Sequence, residues 1–273
     1  MNSNECRPQE IIEVGGRKFF VIDEGPIDAA CIVFSHSIMT DSGMWQSQAD
    51  VLRRNFRVIR YDSRGHGKTP HAGDDYSTSL LANDVVSLLD ALSLDRVHFV
   101  GLSLGGILGF DLAQRYSHRF HSLVICDARS DSPEEFARPW DARIETARSE
   151  GMSALVEPTM ARWFGSDFLE TAAADGVRAM ISQTSVEGFV ATARALQAYD
   201  YHDTAPSFSA PVTFIVGEND GVLPDVMRTF AKSCKNADFV SIPSAGHLPN
   251  IENPGAFNAT LDAHLKRCSS SNQ

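Results

Sequence analysis

A serine hydroxyl becomes a useful nucleophile only when the chain presents it beside a base, and one segment is built for such presentation. It is Gly101-Leu102-Ser103-Leu104-Gly105-Gly106, between the apolar run at 98–100 and a helix-like stretch beginning at Leu104. At a strand-to-helix turn of the Gly-x-Ser-x-Gly type, the reversal is so sharp that the serine backbone is strained and its hydroxyl projects above the sheet. The positions two before and two after must be small, because strand and helix nearly touch; Gly101 and Gly105 meet that need. The helix start at Leu104 also offers unpaired N–H groups and a positive dipole end to a developing oxyanion. The alternative is a plain glycine-rich turn, and the flanks on both sides count against it.

A base and an orienting acid are then required. The chain order that accompanies such an elbow is serine, acid, histidine. Asp220 follows the apolar run 212–216 in Val216-Gly217-Glu218-Asn219-Asp220, and His247 follows the run 239–242 in Ser244-Ala245-Gly246-His247-Leu248. Both fall at the carboxyl ends of expected strands, the edge that also presents Ser103 and where α/β sheets place their sites. Glu218 and Asp225 compete for the acid, but Asp225 follows Pro224, where it fits the first turn of a helix. His36 and His66 compete for the base; His66 lies in the glycine-rich turn Asp62-Ser63-Arg64-Gly65-His66-Gly67 and reads as structural. The second oxyanion donor should come from the loop Ser35-His36-Ser37-Ile38-Met39-Thr40, which makes the backbone N–H groups of Ile38 and Leu104 the expected pair.

The elements that must hold these residues are legible as short apolar runs alternating with helix-like segments, the pattern of a mostly parallel sheet wrapped by helices. Two runs around Ile11–Ile12 and 19–22, split by Gly15-Gly16, predict an opening antiparallel hairpin. Buried strands are expected at 31–34, 58–61, 97–100, 123–126, 212–216 and 239–242, eight in all with the hairpin. Leu80, Val85, Leu88, Leu89 and Leu92 recur at helical spacing, and 104–116 forms the helix after the elbow. From 131 to 201 the alternation stops, and stretches at 142–147, 152–163 and 189–198 read as short helices. The expected organisation is a core of residues 1–130 and 202–273 with a helical cap of residues 131–201. The tail from Cys268 to Gln273 is serine-rich and reads as frayed.

Composition narrows the function. Lys plus Arg is 24 against 35 for Asp plus Glu, a net charge of -11, which disfavours nucleic acid and anionic membrane surfaces as partners. No stretch approaches the roughly 18 consecutive apolar residues of a membrane span. The opening MNSNECRPQE lacks the apolar run of a secretory signal, so a cytoplasmic location is the default expectation. The five cysteines, Cys6, Cys31, Cys126, Cys234 and Cys268, have neither metal-ligand spacing nor an even number, and no His-x-x-x-His occurs; no metal and no cofactor are expected. The expected partners are a small-molecule substrate and water.

At these residues the sequence resembles the α/β-hydrolase family over nearly its whole length, and within it the 3-oxoadipate enol-lactonases of bacterial aromatic catabolism. The likeness rests on Met44-Trp45, the segment 61–67, the elbow 101–106, Gly151-Met152, Arg162-Trp163-Phe164, and Gly246-His247-Leu248-Pro249-Asn250-Ile251-Glu252-Asn253-Pro254. It implies that Ser103, Asp220 and His247 form the catalytic triad. Two segments depart from it. Where such lactonases carry an Asn-Ser-Leu-Gly-Thr type loop this chain has His36-Ser37-Ile38-Met39-Thr40, and where they carry Asn-Thr-Ala-Ala it has Asp127-Ala128-Arg129-Ser130-Asp131. Both should border the pocket, so the bond hydrolysed is expected in a differently shaped substrate. The pocket candidates are His36, Arg129, Trp140, Arg143 and Trp163. The aromatics serve packing or recognition. Arg129 and Arg143 pair with a substrate carboxylate, or with their neighbours Asp131, Asp141 and Glu145.

The expected activity is hydrolysis of a lactone or small ester through an acyl-enzyme. A carboxylesterase or carbon–carbon bond hydrolase would use the same triad, and so would a hydrolase-like ligand-binding or signalling protein.

Overall fold

The computed structural model describes residues 10–73 and 75–270. Eight strands, β1 (Glu10–Val14), β2 (Arg17–Glu24), β3 (Cys31–Ser35), β4 (Arg57–Tyr61), β5 (Val97–Leu102), β6 (Phe120–Cys126), β7 (Val212–Gly217) and β8 (Ala237–Ile242), form one sheet in the order β1-β2-β4-β3-β5-β6-β7-β8. The first two pairings are antiparallel and the rest parallel. Gly15 and Gly16 both take positive φ, 56° and 77°, the requirement of a two-residue hairpin turn that matches strand twist, and the Val14–Arg17 register follows.

Every residue of β3, β4, β5 and β7 is buried, as continuous apolar strands covered on both faces must be. The run at 239–242 differs from the expectation of a fully covered strand. β8 is the last strand of the sheet, paired on one side only, and most of its residues remain half-exposed.

Helices α1 (Gln46–Leu52), α2 (Thr78–Ala91) and α3 (Leu104–Tyr116) connect the first six strands. Between β6 and β7 the chain is helical: α4 (Glu134–Ala137), α5 (Pro139–Glu150), α6 (Val156–Trp163), α7 (Ala172–Gln183) and α8 (Val186–Leu196). Helix α7 is not among the helices expected from the sequence, although Thr171 caps its amino terminus by accepting from the Ala174 N–H. Then come α9 (Leu223–Ser233), α10 (Pro249–Glu252) and α11 (Pro254–Ser270). α2, α3 and α9 cover one face of the sheet and α1 and α11 the other. Helix α11 runs through Ser270 with Cys268 buried, so the tail is ordered further than its serine-rich composition suggests; residues 271–273, and the amino-terminal segment with Cys6, lie outside the described residues.

The helical insertion meets the rest of the chain at its two ends and along helix α8. An isolated bridge pairs Asp131 with Asp200, at its two ends. Helix α8 rests on the turn after β4 at a glycine-to-glycine contact: a Cβ on Gly188 would lie 2.2 Å from the Gly65 carbonyl oxygen, and one on Gly65 2.3 Å from the Gly188 Cα.

Away from this edge, a buried chain of polar groups links the beginnings of β5, β6 and β7 to α11. The His98 Nδ1 and His264 Nε2 atoms both meet the Ser122 hydroxyl, at 2.7 and 2.8 Å, and His264 Nδ1 meets the Thr213 hydroxyl at 2.7 Å. Burial pushes both imidazoles down to about 4; for His98 the nearby His121 and Arg96 add to this, and for His264 the nearby His98. The same rings titrate near 6.5 in an unfolded chain. Because the folded values lie below the unfolded one, their contribution to stability is complete above about pH 6.5 and is lost as pH falls toward 4. The melting temperature followed by circular dichroism should therefore decline already between about pH 6.5 and 5, where exposed carboxylates are still ionised. A flat profile over that interval would contradict this.

Candidate active site

The parallel register brings the carboxyl ends of the central strands to one edge. Ser35 pairs with Gly101, Gly101 with Ile125, Cys126 with Ile215, and Gly217 with Ile242. Each side chain singled out for chemistry follows one of these ends. Ser103 lies between β5 and α3 with φ 56° and ψ -110°, a backbone that a non-glycine residue adopts only under strain. Its N–H donates to the Cys126 carbonyl at 2.8 Å, anchoring the elbow to the neighbouring strand. A Cβ on Gly101 would lie 2.1 Å from the Gly105 carbonyl oxygen, and one on Gly105 2.3 Å from that of Ser35. The glycines are thus required by backbone approach.

The three side chains meet. His247 Nε2 lies 2.9 Å from Ser103 Oγ, and His247 Nδ1 lies 2.7 Å from Asp220 Oδ2. With the Nδ1 proton turned to the carboxylate, Nε2 is free to accept the serine proton. Burial alone would raise the Asp220 carboxyl. The imidazole beside it, the hydrogen bond from it and the nearby Arg162 guanidinium outweigh burial and bring it below its usual range. Of the competitors, Glu218 is exposed and accepts from the Ser244 N–H, and Asp225 stands in the first turn of α9.

His247 is held from two sides. Its N–H donates to the Trp163 carbonyl at 2.8 Å, and the Trp163 ring lies against the imidazole, centroids 5.6 Å apart. Glu252 spans the same junction, accepting from the N–H groups of Gly165 (2.9 Å) and Gly246 (2.6 Å). The insertion and the histidine loop are therefore fastened to each other. Glu252 was missed in the sequence because a glutamate at the end of a short helix has no local signature of a partner 87 residues away.

Among the described residues, neither the Ile38 nor the Leu104 N–H has an acceptor within the protein. The Gly105 N–H donates to the His36 carbonyl at 3.2 Å, which joins the loop after β3 to the first turn of α3.

A cavity of about 270 Å³ opens above the triad. Ile38, Ser103, Asp127, Asp220 and His247 lie along it together with Arg129, Trp140 and Arg162. Among the expected pocket residues, then, Arg129 and Trp140 face the cavity, and three do not. His36 is fully buried behind the loop: its Nδ1 meets the Ser37 carbonyl at 2.7 Å and its Nε2 accepts from the Ser63 N–H at 2.8 Å, a brace between two loops. Trp163 packs on the imidazole from behind. Arg143 donates to the Thr159 hydroxyl at 3.0 Å and stacks over Trp140, its guanidinium 4.6 Å from the ring centroid. His66 lies beside His36, ring centroids 5.3 Å apart, and burial, with the nearby His36, pushes the His66 imidazole down to about 3. Arg129 contacts Asp131 through Nε (3.2 Å) and Nη2 (3.1 Å), so its charge is already partnered.

Arg162 was missed. A basic residue in the last turn of a helix reads as a partner for the helix dipole, and only the placement of α6 turns it toward the cavity. It is exposed and lies along the cavity lining. Burial lowers the guanidinium from its ordinary value and the Asp220 charge partly restores it. Among the described residues it makes no hydrogen bond or ion pair with a side chain.

The family described as the alpha/beta hydrolase fold matches residues 31–254. A 3-oxoadipate enol-lactonase of Acinetobacter baylyi is 32% identical over 253 residues, 92% of this chain and 94% of that protein. The crystal structure of an enol-lactonase from Burkholderia xenovorans superposes with a TM-score of 0.89 at 33% identity, covering 94% of this chain and 100% of the other. A thermophilic esterase from Thermogutta terrifontis superposes with a TM-score of 0.87 at 26% identity, covering 97% and 99%. No described helix is long and apolar enough to cross a membrane. The eight-stranded sheet, the matched family and these relatives agree: the chain belongs to the α/β-hydrolase family.

Proposed function

We propose that the protein hydrolyses a lactone or small carboxylic ester through an acyl-enzyme formed on Ser103. The observation that carries this reading is the continuous contact from Ser103 Oγ through the imidazole to Asp220, at 2.9 and 2.7 Å, on the wall of a small cavity. His247 takes the serine proton as Oγ attacks the carbonyl, and Asp220 holds the tautomer and stabilises the imidazolium. The N–H groups of Ile38 and Leu104 receive the oxyanion. His247 then gives the proton to the leaving alkoxide. Water repeats the sequence on the acyl-enzyme and frees Ser103.

The insertion, residues 131–201, acts as a cap. A lactone leaves its alcohol tethered to the acyl group, so the product must stay under the cap until water enters. At about 270 Å³ the cavity is at the small end of ligand sites, which span roughly 300–1,000 Å³, and it suits a small ring or short acyl chain. Its walls include Ile107, Phe136, Trp140 and Leu196, with Arg162 a cation that, among the described residues, makes no hydrogen bond or ion pair with a side chain. A substrate with an apolar body and a carboxylate arm fits that lining. Of the enol-lactonase resemblance this is the part the residues support, and it is consistent with a role in aromatic catabolism.

The test is a panel of enol-lactones, saturated lactones, aryl esters and vinylogous diketones, with S103A as control. Multiple turnover on lactones or esters is expected. Turnover of the diketones alone would favour carbon–carbon hydrolysis, and a single burst of one equivalent would favour ligand sensing. A charge-assisted hydrogen bond contributes about 1.5–3 kcal/mol, so Arg162→Ala should raise KM about 10- to 100-fold for a carboxylate-bearing lactone. Its methyl ester should be unaffected. Equal behaviour of acid and ester in the wild type would exclude the arginine contact.

A further inference from the structure

A second carboxyl group stands against the triad acid. Asp127 is the first residue after β6, in the segment that departs from the enol-lactonase pattern, and it lines the same cavity as Ser103. Its backbone has φ 45°, an uncommon conformation for a residue with a side chain, held by donation of its N–H to the Ile215 carbonyl at 3.0 Å. The side chain is thereby directed at the end of β7. Oδ1 accepts from the Gly217 N–H at 2.8 Å. Oδ2 is buried and meets no N–H or hydroxyl donor.

Oxygens of Asp127 and Asp220 and a ring nitrogen of His247 all lie within 4.8 Å of one another. Two carboxyl groups so close in a closed site do not both ionise. Asp220 has the imidazole and Arg162 as neighbours and keeps the charge. Asp127 has one backbone N–H, and burial together with the Asp220 charge holds its proton on. That proton belongs on Oδ2, since Oδ1 is already an acceptor, and an orphaned buried oxygen would otherwise cost a full desolvation penalty. The same three groups do not make an open metal site, because Asp220 and His247 are already bonded to each other.

We propose that Asp127 is a positioning residue of the triad, donating its Oδ2–H to the Asp220 carboxylate. The donation fixes the rotation of that carboxylate and leaves it as the single negative charge against His247. It follows that Asp127 is a reserve acid. Once Asp220 is removed, the like charge is gone, and Asp127 ionises beside the imidazole in its place. The inference rests on reading Ser103, His247 and Asp220 as the working triad.

The experiment combines p-nitrophenyl acetate turnover, fluorophosphonate labelling and difference infrared spectroscopy of protein with carbon-13 labelled aspartate near neutral pH. The wild type should show the carbonyl stretch of a protonated carboxyl, absent in D127N. D127A should lose about tenfold in kcat, the scale of one hydrogen bond, and D127N, which restores an N–H donor to Asp220, should recover most of that loss. Loss of a triad acid with no substitute costs about 10⁴-fold in kcat, so D220A retaining activity within about 10²-fold of wild type, with D127N/D220A far below it, supports the reserve role. Equal kcat for D127A and D127N, no protonated-carboxyl band, or equal activity of D220A and D127N/D220A would overturn the proposal. A wild type that neither turns over ester nor takes the label would sink the triad reading instead, and the infrared band would still decide where the proton lies.

Discussion

Replacing Ser103 by alanine should lower kcat on any accepted ester or lactone by about 10⁶-fold and abolish covalent labelling by a fluorophosphonate. The size follows from the geometry. Ser103 Oγ has His247 Nε2 at 2.9 Å, and that imidazole has Asp220 at 2.7 Å, so all three act on one proton. Removing the nucleophile leaves the base with nothing to activate, and removing the base leaves an alcohol as unreactive as one in water. The effects are therefore far from additive: S103A/H247A should be no slower than S103A. The residual rate, about 10³-fold over water, is what the oxyanion donors and binding supply to an attacking water. KM should change little, because the hydroxyl contributes mainly to the transition state. Intact mass spectrometry after labelling is the direct check. A label retained at the wild-type level in S103A would mean that another residue carries the chemistry.

The second large effect is expected at a residue that touches no substrate. Gly101→Ala should lower both stability and activity. An added Cβ would meet the Gly105 carbonyl oxygen at 2.1 Å, the Gly105 carbonyl carbon at 2.4 Å and the Phe99 ring at 2.8 Å. Two of these are backbone atoms of the elbow itself, so relief requires β5 and α3 to part. Overpacking of this kind costs about 3 kcal/mol, which for a chain of this size lowers the melting temperature by roughly 6–12 °C. Parting the two elements also moves Ser103, which stands between them, relative to His247. A displacement of about 1 Å can cost 10²-fold in rate. A variant with the wild-type melting temperature and kcat would show that the elbow tolerates a methyl group, and the steric account of the Gly-x-Ser-x-Gly spacing would fall.

The elbow and its partners were legible because each is encoded locally. Gly101, Ser103 and Gly105 lie within five residues, and Asp220 and His247 follow apolar runs whose strand character is plain. Parallel strands paired in register bring every carboxyl end to one edge, so three distant residues needed only to be placed on the right strand ends. The same logic recovered eight strands and the opening hairpin, where Gly15-Gly16 allows only a tight turn. It overstated β8, whose apolar residues look like those of a covered strand until the sheet order makes it an edge.

What surrounds the triad was not legible in the same way. Arg143 and Arg162 are both arginines on helices of the insertion, α5 and α6, and their sequence neighbours do not say which of them faces a cavity. Arg143 turns to Thr159 and Trp140 while Arg162 faces the cavity, because the packing of α5 and α6 over the sheet sets which side of each helix looks inward. His36 looked like a wall of the pocket from its place in the oxyanion loop, yet the Ser63 N–H draws its ring to the other side. Asp127 and Glu252 acquire their partners across 90 and 87 residues of chain.

The sequence by itself determined the elbow at Ser103, the order of acid and histidine and the doubly covered sheet, because strand periodicity and glycine sterics are local properties. The tertiary structure alone decided that Arg162 joins Arg129 along the cavity while Arg143 does not, and that a second carboxyl group stands beside Asp220. Those are consequences of how helices pack and of which charges share a closed volume, and neither is written in the spacing of residues along the chain.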